Sequence, residues 1–307
     1  MMRHNCRRRS IESLNLSSIL PHDLIVQILL RLPVRSLLRF KSVCKSWLSL
    51  ISDPQFGKSH FDLAAAPTHR CLVKINNFKL ESLDVDASVL DQSSEVNLKF
   101  PYTGYVIFHI QILGSCRGFI ALVRGGDAIV WNPSTCVQRK IADDIEMKIY
   151  GHLYGFGYDK STDDFLLVFI DLIAFEFFED GTTVAEYHSS IEIFSLKTPS
   201  LFYPEPIPYV KPEGFNSSYL GFFLNEALHW LVTNAETYLH AIIAYDLVER
   251  SLSEIPLSPI LAAKLQHQVY YLRVMEECLS LCYPGDATSM AEIWMMKEYK
   301  VQSSWMD

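Results

Sequence analysis

Apolar residues recur at two different spacings along this chain, and the change falls near residue 70. From Asp23 to Leu32 they repeat at helical intervals. Leu24, Ile28 and Leu32 stand at i, i+4 and i+8, and Ile25 and Leu29 widen the stripe beyond what one neighbouring helix would cover. Pro21 suits a helical first turn, where its missing N–H costs nothing, and Asp23 places a negative charge where the helix dipole favours it. Pro33 ends this helix and can open the next. Val34, Leu37, Leu38 and Phe40 then lead into Val43, Cys44, Trp47, Leu48 and Ile51, again at helical spacing, and Asp53-Pro54 is a turn signal. Of the 33 residues from Ile19 to Ile51, nineteen are apolar. A piece this small leaves most of its surface wet. A following domain or a separate protein must cover the remainder.

Beyond residue 70 the pattern becomes short apolar strands separated by turns. Four segments resemble one another: "DAIVWNPSTCVQRKI", "SSIEIFSLKTPSLFY", "HAIIAYDLVERSLSEIP" and "AEIWMMKEYKVQSSW". Aligned at Trp131, Phe194, Tyr245 and Met295, they are spaced by 63, 51 and 50 residues. Leu83, in "KLESLDVDA", marks a weaker earlier copy. A period near 50 with several strands per unit is that of kelch-type propeller blades, which bury their faces only against one another. A β-sandwich with chance similarity is the alternative. Pro67 marks the break between the two regions.

Charge divides along the same line. Residues 1–60 hold ten Lys/Arg and three Asp/Glu, a net +7; the rest holds 17 and 32, a net −15. The basic cluster Arg7-Arg8-Arg9 has no interleaved aromatics, so a solvated tail is expected over a nucleic-acid arm. The seven cysteines are odd in number and irregular in spacing, which argues for a reducing compartment. Cys278 and Cys282 lie four apart without a second metal-ligand pair, so buried strand thiols are expected and a metal site is not. No apolar run reaches membrane-spanning length, and "MMRHNCRRRS" lacks the apolar core of a secretory signal.

Catalytic chemistry is equally sparse. Ser42 to Lys45 fits S-x-x-K but falls among the helices without the companion motifs. Asp159, Ser161 and Asp163 imitate a calcium loop, yet its sixth position is Asp164 and its twelfth Ile170, so a hairpin turn is expected. Gly125-Gly126-Asp127 reads as a strand-to-strand turn. The ten histidines form no close pair.

The helical stretch resembles an F-box of the plant form. It carries Leu20, Pro21, Asp23 and Leu24 of L-P-x-D-L, then Ile28, Leu29, Arg31, Leu32 and Pro33. The run "VRSLLRFKSVCKSW" and the closing Leu50, Ile51, Asp53, Pro54 and Phe56 complete it. The body resembles the F-box-associated domain of plant proteins, through "GSCRGFIAL", "WNPST", "GFGYDKSTDDFLLV", "IEIFSLKT", "AYDLVERSLSEIPL" and "IWMMKEYKVQSSW". The resemblance implies an α+β chain: a basic tail over 1–17, a three-helix F-box over 18–60, a linker over 61–69, and an all-β propeller-like domain over 70–307. Relatives commonly continue past the last of these motifs, so an incomplete, imperfectly closed array is expected.

That resemblance further implies a non-catalytic substrate-recognition subunit of an SCF-type (Skp–cullin–F-box) ubiquitin ligase in the cytoplasm or nucleus. Its partners would be a Skp-type adaptor, through it cullin and RING subunits, and a target protein, with no nucleic acid, membrane or cofactor involved. Carried over by position, the adaptor-facing residues are Leu20, Pro21, Leu24, Ile28, Leu32, Pro33, Leu37 and Leu38, while Phe40, Val43 and Trp47 could instead hold the helices together. The pattern alone does not separate these groups. The alternative is a β-propeller ligand-binding or enzymatic protein with a helical head that binds no adaptor. A third reading, a DNA-associated protein using its basic head, conflicts with the acidic body. The aromatic, proline-rich stretch Phe202 to Phe215 is a candidate for contact with the target.

Overall fold

The structure, a computed structural model, describes residues 21–63, 71–76, 79–84, 96–97, 110–133, 137–179, 182–197, 200–202, 209–210, 219–266, 269–285 and 290–307. Its contacts divide it into two compact units, the first containing the helical head and the second nearly all of the β body.

The head contains α1 (His22–Leu29), α2 (Val34–Phe40), α3 (Lys45–Ser52) and α4 (Pro54–Leu63). Pro21 and Pro33 each take an extended ψ immediately before a helix, which is why both helices begin where they do. Cys44 breaks the apolar run between α2 and α3. Its backbone is extended, and its Sγ accepts the Trp47 N–H at 3.5 Å, so a residue expected within a helical stripe serves as an N-cap. Asp53-Pro54 does more than end a helix. Asp53 Oδ1 accepts the Gln55 N–H at 2.7 Å, and Pro54 opens α4, which runs to Leu63, three residues into the stretch expected as linker.

Ile25, Leu29, Leu30, Leu37 and Phe56 form the head's core, with Leu32, Phe40, Trp47, Leu50 and Ile51 partly buried around it. Phe40 and Trp47 meet edge to face at 5.5 Å. His60 donates from Nε2 to the Leu32 carbonyl at 2.8 Å, tying α4 to the α1–α2 turn.

The body opens with a three-stranded sheet of β1 (Cys71–Asn76), β2 (Lys79–Asp84) and β3 (Val96–Asn97). Four antiparallel sheets follow in chain order. Sheet I holds β4 (Gln111–Cys116), β5 (Phe119–Arg124), β6 (Asp127–Trp131) and β7 (Gln138–Ala142). After α5 (Glu146–Gly151), sheet II holds β8 (Leu153–Asp159), β9 (Asp164–Glu179), β10 (Thr182–Ser195) and β11 (Ser200–Phe202). Sheet III holds β12 (Tyr209–Val210), β13 (Phe222–Leu224), β14 (Ala227–Asn234), β15 (His240–Asp246) and β16 (Leu252–Ile255), with β12 and β13 both pairing with β14. Sheet IV follows α6 (Pro259–Leu265) with β17 (Tyr271–Met275), β18 (Cys278–Tyr283), β19 (Glu292–Met296) and β20 (Trp305–Met306).

This is a four-bladed propeller-like array, and the repeat seen in the sequence coincides with it. Trp131, Phe194, Tyr245 and Met295 lie on β6, β10, β15 and β19, the third main strand of each blade. The longer spacing, 63, spans blade II, where β9 and β10 are far longer than their counterparts.

Three apolar clusters lie between successive sheets. Leu113, Val130, Phe156 and Phe169 belong to the one shared by I and II. Val168, Ile170, Trp230 and Ile243 belong to that of II and III, and Ile242, Ala244, Leu281 and Trp305 to that of III and IV. Alternate residues of β9 therefore enter different clusters: Leu166, Val168 and Ile170 one, Leu167 and Phe169 the other. A strand buried on both faces loses the polar half of its alternation, so "FLLVFI" reads as a continuous apolar run.

Close approach fixes the packing of II on III. A Cβ built at Gly157 of β8 would lie 2.6 Å from both Leu247 Cδ1 and Phe223 Cδ2. Beside it, Tyr154 forms a parallel bridge to Leu220, and the Trp230 indole N–H donates to the Tyr154 carbonyl at 3.0 Å. The inner strands of II and III consequently run in the same direction.

Three of the hairpin turns share one chemistry. Asp159, Asn234 and Asp246 each use Oδ1 to accept the N–H groups two and three residues ahead. Asp163, Tyr238 and Arg250, four residues ahead, adopt positive φ. The calcium-like Asp159–Asp163 stretch is thus one of three equivalent turns. Gly125 and Gly126, both at positive φ, connect β5 to β6 as a two-residue hairpin.

Candidate functional site

The candidate site is the face of the head that its own core does not use. On α1, two apolar rows run side by side one residue apart. Ile25 and Leu29 are 6% and 0% exposed and belong to the core, whereas Leu24 and Ile28 are each 51% exposed. Both rows have the same i, i+4 spacing, so helical periodicity cannot distinguish them. What separates them is the position of the rest of the core. Burying a large aliphatic side chain fully is worth roughly 1.5–3 kcal/mol, so leaving two half in water forgoes stability that a partner could supply.

Each expected adaptor-facing residue has a definite place. Pro21, Leu24, Ile28 and Pro33 are exposed, and Leu32 and Leu38 are half-buried. Leu37 differs from the expectation. It is buried among Ile25, Leu29 and Phe56, so its side chain is internal to the head in this structure. Leu20 lies outside the described residues. Phe40 and Trp47 pack on the core, but Val43 is exposed and does not join the helices. Val34 and Leu48, not singled out from the sequence as adaptor-facing, are also exposed. Arg31 folds back on the end of α1, donating to Gln27 Oε1 at 2.8 Å and to its carbonyl at 2.7 Å.

The remaining candidates have structural roles. Ser42 of the S-x-x-K match donates its hydroxyl to the Arg39 carbonyl in the turn after α2. Cys278 and Cys282 sit half-buried on β18, less covered than expected. Cys282 Sγ lies 3.9 Å from Met275 Sδ, and burial raises its pKa. Cys116 is fully buried, which pushes its thiol up to about 12. Among the described residues no group of His, Cys, Asp and Glu could hold a metal ion, and no helix is long and apolar enough to cross a membrane. Of the Phe202 to Phe215 stretch, only Phe202, Tyr209 and Val210 are described.

The chain thus combines a short helical unit, which exposes Leu24 and Ile28 beside its core row, with a propeller-like body. The chain belongs to the family of the F-box associated beta propeller domain, whose model matches residues 71–307, and the F-box domain model matches residues 17–59. It is therefore a plant-type F-box protein with an F-box-associated domain. The F-box/kelch-repeat protein At3g23880 of Arabidopsis thaliana is 28% identical over 93% of this chain and 78% of its own length. The F-box protein CPR1 of the same plant is 28% identical over 93% of this chain and 71% of its own. Among solved structures, the dipeptidyl peptidase 4 of Porphyromonas gingivalis overlaps 78% of this chain and 37% of its own at a TM-score of 0.36 and 9% identity, too loose a likeness to support any inference.

Proposed function

We propose that this protein is the substrate-recognition subunit of an SCF-type ubiquitin ligase. The head binds a Skp-type adaptor, which links it to cullin and RING subunits, and the β body holds a target protein. Binding places target lysines beside a charged conjugating enzyme and raises their effective concentration; the chain itself performs no bond chemistry. On this reading it works in the cytoplasm or nucleus. The observation that carries the proposal is the exposed Leu24–Ile28 row beside the buried Ile25–Leu29 row. The adaptor-facing set becomes Leu20, Pro21, Leu24, Ile28, Leu32, Pro33 and Leu38, with Leu37 acting from beneath.

The test is co-expression with a Skp-type adaptor, comparing wild type with Leu24→Arg/Ile28→Arg and with Leu20→Ala/Pro21→Ala. Loss of co-purification in variants whose thermal unfolding is unchanged supports the assignment. Undiminished adaptor binding by Leu24→Arg/Ile28→Arg would overturn it.

A further inference from the structure

The S-x-x-K match at Ser42 to Lys45 carries no catalytic role, but its serine stands at the surface of the head. Ser42 is exposed in the turn between α2 and α3, and Arg39, Val43 and Lys45 around it are exposed as well, with Lys41 half-buried. A serine with arginine at −3 and lysine at −1 and +3 complements the acidic substrate groove of a basophilic protein kinase. The next residue is apolar and open to water: Val43 is 57% exposed, more than Leu24 or Ile28.

The local geometry tolerates a phosphate at this position. The Ser42 hydroxyl donates to the Arg39 carbonyl at 2.7 Å, and the Ser42 backbone N–H donates to the same oxygen at 3.2 Å. Esterifying the hydroxyl removes one of these donors and leaves the other, so the end of α2 keeps its cap. The carbonyl end of α2 disfavours an anion, whereas the amide end of α3, which begins at Lys45 with Cys44 as its cap, favours one. A phosphoserine carries about −2 charge at neutral pH, and the cations of Arg39, Lys41 and Lys45 all lie within three residues of it.

We propose that Ser42 is a phosphorylation site for a basophilic serine kinase, and that its phosphate closes the head to the adaptor. In the transfer, Ser42 Oγ bonds to the γ-phosphorus of ATP as the bond to ADP breaks, and the hydroxyl proton passes to the kinase's base. In the free chain the phosphate stays hydrated beside its cations and the helices persist. A partner that covers Val43 must strip water from that dianion, which an apolar interface cannot repay. The inference rests on the reading that the head docks a Skp-type adaptor, and it extends the docking face from Leu24 and Ile28 to Val43.

The test treats the purified full chain with ATP and a calcium-dependent kinase that selects serine three residues after arginine. Tandem mass spectrometry maps the phosphate, and a Skp-type adaptor is then titrated against treated and untreated chain. Ser42 should be modified, and Arg39→Ala should be modified several-fold more slowly. The phosphorylated chain should bind the adaptor more weakly by on the order of tenfold, with its thermal unfolding unchanged. Ser42→Ala, treated identically, should keep its affinity, and removing the phosphate with a phosphatase should restore that of the wild type. A folded chain left unmodified at Ser42 overturns the proposal, and so does Ser42-phosphorylated protein that binds the adaptor undiminished. A lowered unfolding temperature accompanying the lost affinity overturns it as well, because the phosphate would then act by unfolding the head. Failure of the untreated chain to bind the adaptor would sink the ligase assignment and with it the gate, while the phosphate map would still decide whether Ser42 is a modification site.

Discussion

Arg250 Nη2 lies 2.7 Å from Oδ2 of Asp159, so a turn of sheet III neutralises a carboxylate that sheet II buries to 1% side-chain exposure. The other oxygen of Asp159 is held by its own turn, through the Ser161 N–H at 2.8 Å and the Ser161 hydroxyl at 2.6 Å. Two turns from different blades are thereby locked together across 91 residues of sequence.

Removing the arginine leaves that carboxylate buried and less compensated, which costs more than the pair is worth in net terms. Arg250 is itself a third exposed, so the loss is moderated by solvent. Arg250→Ala should cost about 1–3 kcal/mol. Asp159→Ala/Arg250→Ala should cost less than the two single changes summed. Urea denaturation of the four proteins in a double-mutant cycle measures the coupling; strict additivity would show that the pair carries no interaction.

The carboxylate also gives an acid dependence. Burial pushes the pKa of Asp159 upward, but hydrogen bonds from Ser161 and Thr162 outweigh it and the net shift is downward. A lowered carboxyl pKa stabilises the fold above the unfolded value of roughly 4, and this stabilisation fades as pH falls below it. Asp159→Asn should therefore narrow the gap in stability between pH 5 and pH 3, followed by chemical denaturation at each pH.

His229 acts in a higher pH window. It is fully buried on β14, with Nδ1 3.1 Å from the Phe222 carbonyl and Nε2 2.8 Å from the Tyr299 hydroxyl. A carbonyl can only accept, so Nδ1 carries the proton and Nε2 accepts from Tyr299, an arrangement that needs the neutral ring. Burial lowers its pKa to about 4. The unfolded chain takes up this proton near pH 6.5 and the folded chain only near 4, so stability is full above 6.5 and falls as pH drops toward 4. The loss over that interval is on the order of 3 kcal/mol. His229→Gln should be less stable at pH 7.5 and should lose less on acidification, as thermal unfolding between pH 7.5 and 4.5 would reveal.

In the head, neighbouring residues should behave oppositely. Leu29 is fully buried, and Leu29→Ala should cost about 2–5 kcal/mol. Ile28→Ala, one position away and half exposed, should change stability by less than about 1 kcal/mol while weakening adaptor capture. Thermal melts and adaptor titrations on the two variants separate folding from docking.

Gly157→Ala tests the close packing of blades. The added methyl would meet Leu247 and Phe223 at 2.6 Å, and a well-packed core accommodates such an insertion at a cost of about 1–3 kcal/mol. An unchanged melting temperature would mean that sheets II and III can separate freely at this point.

Much of this protein was decided locally. The two prolines that open α1 and α2, the strand runs, the Asx turns and the repeat at Trp131, Phe194, Tyr245 and Met295 all follow from preferences acting within a few residues, repeated blade by blade. The F-box match likewise needs only a contiguous run of residues. Tertiary structure decided what contiguity cannot. Leu24 and Ile25 are equally apolar and equally well spaced, and only the core formed with Leu37 and Phe56 selects Ile25. The same selection draws Leu37 inward, against its expected place on the docking face. Cys44 became a cap because the backbone turned there, although cysteine is a rare choice for one. The Asp159–Arg250 lock and the His229–Tyr299 bond join residues 91 and 70 positions apart. Periodicity reports which residues can share a face; which face is then covered depends on where the rest of the chain packs.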